Sequence, residues 1–119
     1  MTPALVALAR AYLALPGAPT PRSVRFARDV DGMMWVLVPD ESGRLGWVID
    51  LTAPAAGGVM LGLLPVAVKV VTRTEPRSFR LMWLAEDGEG LGPRQHTTPW
   101  LDTLAEAVAR VAVAVGRAG

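Results

Sequence analysis

The sequence lacks cysteine altogether and has a single histidine, His96, among its 119 residues. The absence of cysteine excludes a disulfide framework, a thiolate metal site and a thiol nucleophile. With one histidine, a zinc site would need mainly carboxylate ligands, which is unusual. His96 stands in a glycine- and proline-containing stretch, so we expect a surface-loop histidine rather than a catalytic base. We predict no catalytic residue, no metal and no cofactor, and a protein that is not an enzyme.

An excess of charge of one sign is also lacking. Twelve Lys and Arg residues against eleven Asp and Glu residues give a net charge of +1. A chain so close to neutral has little long-range attraction for nucleic acid or for an anionic lipid surface. Its apolar runs are far shorter than the about 18–20 residues that cross a membrane. We expect no membrane partner and, by default, a cytoplasmic location.

Apolar residues are abundant, at 51% of the chain before its 12 glycines are counted. Average usage with glycine included is about 45–50%. The length predicts one domain, residues 1–119, and the composition is not that of a disordered chain. The apolar excess predicts that some of it covers an oligomer interface or a ligand cavity.

Residues 33–51 indicate a β-hairpin. Two apolar runs, 33–39 and 45–51, flank a polar segment with proline, serine and glycine nearby, which is typical of a loop longer than two residues. Both faces of the hairpin are apolar, so we expect it at the centre of the fold, covered on both sides. Residues 23–30 alternate in polarity and precede an Asp-Gly turn, which predicts a three-strand antiparallel meander.

The second half of the chain predicts another hairpin and a helix. Residues 66–73 and 78–84 alternate around a turn, while residues 52–65 fit either a short helix or an apolar loop, and residues 85–97 a loop. Thr2-Pro3 and Thr98-Pro99 each predict an N-cap and a first helical residue. The predicted fold is therefore α+β, with a mainly antiparallel sheet of about five strands, a three-strand meander plus a hairpin, flanked by N- and C-terminal helices.

Three motifs invite a chemical interpretation, and each has a simpler structural one. Acidic residues at 86–90 could hold a divalent cation, but their spacing is not that of an EF-hand loop, so a solvated loop is favoured. The glycines at 88–92 are not followed by Lys-Ser or Lys-Thr, which excludes a phosphate loop. Asp50 ends an apolar strand and fits a turn cap better than an acid–base catalyst.

Basic residues and four tryptophans suggest a binding face. Single-stranded nucleic acid is bound by basic and aromatic side chains on a sheet. The alternative is that the arginines line a solvated sheet face and the tryptophans fill the core, which the near-neutral charge favours. The candidate binding residues are Arg25, Lys69, Arg73, Arg77 and Arg80.

The end of the last predicted helix, residues 109–115, is apolar on nearly every side. Two helices are few for covering five strands on both faces, so we expect a two-fold symmetric homodimer. The candidate self-association residues are Val111, Val113 and Val115.

No motif identifies a family. The predicted order of helix, three strands, a connection, two strands and helix is similar to the fold of type III secretion chaperones and related small bacterial domains. That resemblance implies a dimeric, non-enzymatic, protein-binding module and assigns no binding residues. Our first hypothesis is accordingly a chaperone-like protein-binding or assembly module acting as a homodimer. The alternatives are a single-stranded nucleic-acid-binding module and a small-ligand binder with an apolar cavity.

Overall fold

The computed structural model describes residues 1–20, 35–86, 90 and 92–119. Within these ranges the chain forms an α+β fold, as predicted, with helices near both termini. The strands form two antiparallel sheets rather than one, a two-stranded sheet β1–β2 and a three-stranded sheet in the order β3–β4–β5. The elements are α1 (Pro3–Leu13), β1 (Trp35–Pro39), β2 (Leu45–Ile49), α2 (Pro54–Leu63), β3 (Val68–Thr74), β4 (Arg77–Glu86), β5 (Pro93–Thr97) and α3 (Leu104–Val115).

The first predicted hairpin is confirmed as β1–β2, in a register that pairs Trp35 with Ile49. Asp40 organises its loop, since its Oδ1 accepts hydrogen bonds from the Ser42 hydroxyl at 2.6 Å and from the Ser42 and Arg44 backbone N–H groups at 2.9 Å. The Ser42 hydroxyl and the Arg44 N–H together hold the pKa of Asp40 below its ordinary value. The strand predicted over residues 23–30 lies outside the described residues.

The second predicted hairpin is confirmed as β3–β4, and β4 also pairs with a strand that the sequence analysis assigned to a loop. This strand, β5, pairs antiparallel with the end of β4, from Met82 opposite Thr97 to Glu86 opposite Pro93. Its sequence is Pro-Arg-Gln-His-Thr and most of it is exposed. Apolar alternation could not reveal β5, because a polar strand exists only through its pairing with a neighbour.

Residues 52–65, which fitted either a helix or a loop, contain α2. Its two adjacent glycines weaken the helix by propensity, but Gly57 lies where α2 meets α3. A Cβ atom there would come within 2.8 Å of Leu104 Cβ. Close packing between the helices therefore requires glycine at this position and compensates for the poor propensity.

The helix predicted to begin at Thr98-Pro99 begins later. Thr103 is the N-cap of α3, and its Oγ1 accepts the Glu106 N–H at 3.1 Å. Thr98 is buried instead, and its hydroxyl accepts the Leu81 N–H at 3.1 Å. The other predicted cap is confirmed, since Thr2 caps α1, and Gly116 ends α3 in the left-handed conformation with φ 87°.

Helix α3, rather than the first hairpin, is the centre of the described fold. It packs against α1, α2 and β4, and alanines on several of its sides let these neighbours approach closely. The β1–β2 hairpin lies at the edge of this core: Val48 and Ile49, on opposite faces of β2, are buried, but Leu37 and Leu45, on the same face as Ile49, are 48% and 60% exposed. The expectation of a central hairpin covered on both sides is wrong. No helix in the described ranges is long and apolar enough to cross a membrane.

Candidate binding face on the three-stranded sheet

The three-stranded sheet has one face against the core and one face toward solvent. Leu81 and Trp83 are buried on the side where α3 packs on β4. The strand alternation and register place the next side chains along each strand on the opposite face. We call this opposite surface the outward sheet face. Its charged, apolar and aromatic members are Lys69, Val71 and Arg73 on β3, Arg80, Met82, Leu84 and, at the far end, Glu86 on β4, and Trp100, which follows β5.

Two arginines on this face converge on one tryptophan. The guanidinium carbon of Arg73 lies 4.5 Å from the centroid of the Trp100 ring, and that of Arg80 lies 4.7 Å from it. Both distances are within the about 6 Å range of a cation–π contact, in which the negative face of the ring attracts the cation. We call Arg73, Arg80 and Trp100 the arginine–tryptophan cluster. It holds two positive charges close together on a sheet surface.

The Nε atom of one of the two arginines is hydrogen-bonded, and the Nε atom of the other is not. Arg73 Nε donates to Ser78 Oγ at 3.0 Å, and that hydroxyl donates to the Pro76 carbonyl at 3.1 Å. The Nε atom of Arg80 is buried and has no hydrogen-bond partner among the described residues. A buried, unused donor is rare because its desolvation is not compensated. Because this Nε atom is shielded from solvent, it cannot donate to a ligand, and a contact between Arg80 and an external anion would have to use its other guanidinium nitrogens.

The basic side chains of the outward sheet face also lack acidic partners. Within the described ranges, Lys69, Arg73 and Arg80 form no salt bridge with a carboxylate. Their charge is not neutralised locally, although the chain as a whole carries a net charge of only +1. Guanidinium groups bind carboxylate and phosphate through charge-assisted, often bidentate, hydrogen bonds. The face can therefore bind an acidic ligand surface.

The structure brings together part of the predicted binding set. Lys69, Arg73 and Arg80 share the outward sheet face, whereas Arg77 points to the other side of β4 and lies over the Phe79 ring at 5.6 Å. Arg25 lies outside the described residues. The sequence-based set omits Trp100, because this residue stands outside any alternating run and its face could not be assigned from spacing.

The other three tryptophans lie away from the cluster. Trp83 is buried in the core, and Trp35 is half-buried and packs against the core, as predicted. Trp47, also expected in the core, is instead half-buried outside it and lines an open groove of about 430 Å³ between α1 and the first hairpin. Arg10 spans one end of this groove, where its Nη2 donates to the Pro39 carbonyl at 2.9 Å. The groove is an open surface feature and does not have the form of the apolar cavity that the ligand-binding hypothesis requires.

The three candidate self-association residues differ in exposure. Val111 is fully buried in the chain's own core, where a second copy could not reach it. Val115 is half-buried and packs against the same core. Val113 is 39% exposed. Of the three, Val113 offers the surface that an interface would use.

Two of the residues considered for catalysis make local structural contacts. His96 belongs to β5 rather than to a surface loop, and its half-buried ring stacks on Trp83 with centroids 5.4 Å apart. Asp50 caps a turn, as interpreted from the sequence, with its Oδ1 accepting the Thr52 N–H at 2.9 Å. Of the acidic stretch 86–90, residues 87–89 lie outside the described residues.

Comparison with protein-family models, curated proteins and solved structures gives no match for this chain. The comparisons therefore add nothing to the similarity in element order with type III secretion chaperones. The observed order also inserts α2 between the hairpins and β5 before the last helix. The function has to be inferred from the geometry of the outward sheet face.

Proposed function

We propose that this chain is a non-enzymatic protein-binding module whose docking surface is the outward sheet face. The observation that carries the proposal is the arginine–tryptophan cluster, with two guanidinium groups within 4.7 Å of the centroid of one indole ring. Arginine, tryptophan and methionine are enriched at the centres of protein interfaces and supply much of the binding energy there. The cluster combines the first two, and Met82 lies on the same face.

The composition of the face favours a protein over a nucleic acid. Val71, Met82 and Leu84 lie among the basic residues, and Leu84 is largely exposed. Single-stranded nucleic acid binding combines a basic groove along several phosphates with free aromatic rings on which bases stack. Here the Trp100 ring already contacts two guanidinium groups. A mixed apolar and basic surface suits a protein segment that presents both apolar and acidic side chains.

Nucleic acid remains the second candidate, because three basic side chains on the face have no carboxylate partner in the described part of the chain. Phosphate contacts release counterions, so binding of this kind falls steeply with salt. Electrostatic complementarity with an acidic protein also weakens with salt, but the apolar contacts beside it do not. Salt dependence therefore separates the two candidates.

The first hairpin supports self-association as a separate part of the proposal. Leu37 and Leu45, 48% and 60% exposed, lie on the same face as the half-buried Trp47. An apolar patch of this kind suits a second copy of the chain. The outward sheet face is basic and would repel itself, so a dimer through the hairpin would leave it open to the protein partner. This arrangement keeps the homodimeric, chaperone-like module of the sequence hypothesis but places self-association on the first hairpin instead of on Val111, Val113 and Val115.

Fluorescence anisotropy with labelled probes tests the docking surface. The probes are an extended acidic–apolar peptide, a helical acidic–apolar peptide and a single-stranded oligo-dT. We expect at least one peptide to bind the wild-type chain and to lose binding in the double variant Arg73→Glu with Arg80→Glu. The matched control is Arg44→Glu with Arg117→Glu, which makes the same charge change at exposed positions off the sheet face and should keep the wild-type affinity.

Three outcomes contradict the proposal. One is the absence of binding by both peptides, and another is equal loss of binding in the cluster variant and in its control. The third is tight oligo-dT binding that falls steeply with salt and disappears in the cluster variant alone. That result would assign the face to nucleic acid.

A further inference from the structure

In the described part of the chain, strand β3 is an edge strand of the three-stranded sheet. Its one neighbour in the sheet, as far as the structure describes the chain, is β4. Edge strands leave half of their backbone N–H and C=O groups without a ladder partner, which makes them templates for a further strand. Seven residues, Val68–Thr74, form this edge, which is long enough for a short peptide to pair along it.

The hydrogen bonds of β4 show which β3 groups face outward. The Phe79 N–H donates to the Leu101 carbonyl at 2.7 Å and the Leu101 N–H to the Phe79 carbonyl at 2.9 Å, while the Thr98 N–H donates to the Leu81 carbonyl at 2.9 Å. Phe79 and Leu81 therefore turn their backbone groups away from β3. Backbone direction alternates along a strand, so the residues between them bond to β3.

The register then assigns the β3 residues to two sets. Arg73, Val71 and Lys69 lie opposite residues 78, 80 and 82 and bond to β4. Val68, Val70 and Thr72 consequently direct their N–H and C=O groups outward, to the free edge. The amides of the two sets therefore differ in their rates of hydrogen exchange.

The side chains at this edge have opposite character on the two faces of the sheet. Lys69 and Arg73 lie on the outward sheet face, beside the arginine–tryptophan cluster. Val68 and Val70 lie on the core side, yet Val70 is 36% exposed because α3 packs on β4. An added strand would find basic partners on one face and uncovered apolar surface on the other.

We propose that the partner is an extended segment of another protein that adds to the sheet as an antiparallel strand along β3. This inference rests on the proposed protein-binding function and specifies its mode. The segment carries two acidic residues four positions apart, one opposite Arg73 and one opposite Lys69. The residues on either side of its central position are apolar and lie opposite Thr72 and Val70. Backbone hydrogen bonds supply affinity in this mode, and the alternating side chains supply specificity.

Charge argues for a different protein rather than a second copy at this edge. In the antiparallel β3–β3 register centred on Val71, Lys69 of one copy would stand opposite Arg73 of the other. Like charges directly across a strand pair are destabilising, and basic side chains on an edge strand discourage self-pairing. The same two residues attract an acidic strand.

The test uses the capped heptapeptide T-E-V-T-V-E-T, which has the proposed pattern. Opposite β3 its two valines form the central hydrogen-bonded pairs, its terminal threonines lie at the same kind of position, and its glutamates form no such pairs. N-methylation of both valines should therefore abolish binding, whereas N-methylation of both glutamates should leave it nearly unchanged. Val70→Pro removes one outward N–H without removing a bond to β4, and should weaken binding about two- to tenfold, the effect of one hydrogen bond.

Amide hydrogen exchange followed by NMR gives the positional readout on the full chain. In the free protein we expect fast exchange at Val68, Val70 and Thr72 and slow exchange at Val71. With the peptide bound, the first three amides should become protected. Equal binding of the two N-methylated peptides, or bound peptide without this protection, would overturn strand addition and leave the proposed docking surface standing.

Two further outcomes also overturn the inference. Protection of the same three amides in the free protein, together with a dimer mass by light scattering, would show that a second copy occupies the edge. Binding of the helical acidic peptide but not of the extended one would keep the protein-binding function and reject this mode. Binding of neither peptide would overturn the inference together with the proposed function.

Discussion

Gly57 and Gly58 are neighbours in α2 with different surroundings, and alanine at each tests how α2 packs on α3. A Cβ atom at Gly57 would lie 2.8 Å from Leu104 Cβ and 2.9 Å from the Ala105 backbone nitrogen. A Cβ atom at Gly58 would have no heavy atom within 4 Å in the described part of the chain. Cβ contacts below 3.0 Å do not persist in proteins, so Gly57→Ala must displace part of α3.

The two substitutions share one energetic effect and differ in another. Alanine is favoured over glycine inside a helix by about 0.8–1.0 kcal/mol, so Gly58→Ala should raise the free energy of unfolding by about that amount. Gly57→Ala has the same propensity gain but overpacks a close helix contact, which costs about 1–3 kcal/mol. We expect Gly57→Ala to be about 1–3 kcal/mol less stable than Gly58→Ala, a difference in Tm of roughly 4 °C per kcal/mol.

Urea denaturation followed by tryptophan fluorescence and circular dichroism measures both variants. Gly62→Ala is a second control in α2, because a Cβ atom there also meets no heavy atom within 4 Å among the described residues. Equal stabilisation by Gly57→Ala and Gly58→Ala would refute the close approach of α2 and α3. Destabilisation by Gly58→Ala and Gly62→Ala would instead refute the helical conformation of these residues.

Three other predictions follow from local features. Thr103→Ala removes the N-cap of α3 and the hydroxyl that donates to the Leu51 carbonyl. The free energy of unfolding, measured by urea denaturation, should therefore fall by about 1 kcal/mol, and an unchanged value would contradict the cap. Burial raises the pKa of Tyr12, the only tyrosine, to about 12. The stabilisation that comes from keeping this phenol neutral should therefore be complete below about pH 10, where an unfolded tyrosine ionises, and be lost as the pH rises toward 12. Ultraviolet titration of the phenol measures its ionisation, and a Tyr12→Phe variant should not lose stability over this pH range. An ionisation midpoint near pH 10 in the folded protein would contradict burial of the phenol. Leu45→Glu should convert a dimer to a monomer of unchanged circular dichroism in light scattering at micromolar concentration, whereas a wild-type monomer would remove the dimer from the proposed function.

Local signals in the sequence were sufficient for both hairpins and for the ends of some helices. Two apolar runs around the polar residues 40–44 predicted β1–β2, and alternation with period two around residues 74–77 predicted β3–β4. Thr2 and Gly116 act through backbone groups a few residues away, so their capping roles could also be inferred from spacing. The α+β class follows from these elements.

Elements that depend on distant partners could not be inferred in this way. The polar strand β5 is held by its pairing with β4, and α2 is helical although its sequence reads Pro-Ala-Ala-Gly-Gly, because Gly57 fits against α3. Thr98 resembles an N-cap in sequence but is held by the Leu81 N–H in the core. In each case a tertiary contact outweighs the local preference.

The candidate site, too, contains residues whose positions could be predicted from local sequence and one whose position could not. Its basic members on β3 and β4 could be predicted, since alternation along a strand assigns Lys69, Arg73 and Arg80 to one face. The tryptophan that joins two of them could not, because its position depends on the Phe79–Leu101 bridge, which continues the chain after β5 along the same edge of β4 and places Trp100 beside Arg73. Spacing along a strand is a property of the sequence, whereas the approach of two segments twenty residues or more apart is decided by how the whole core packs.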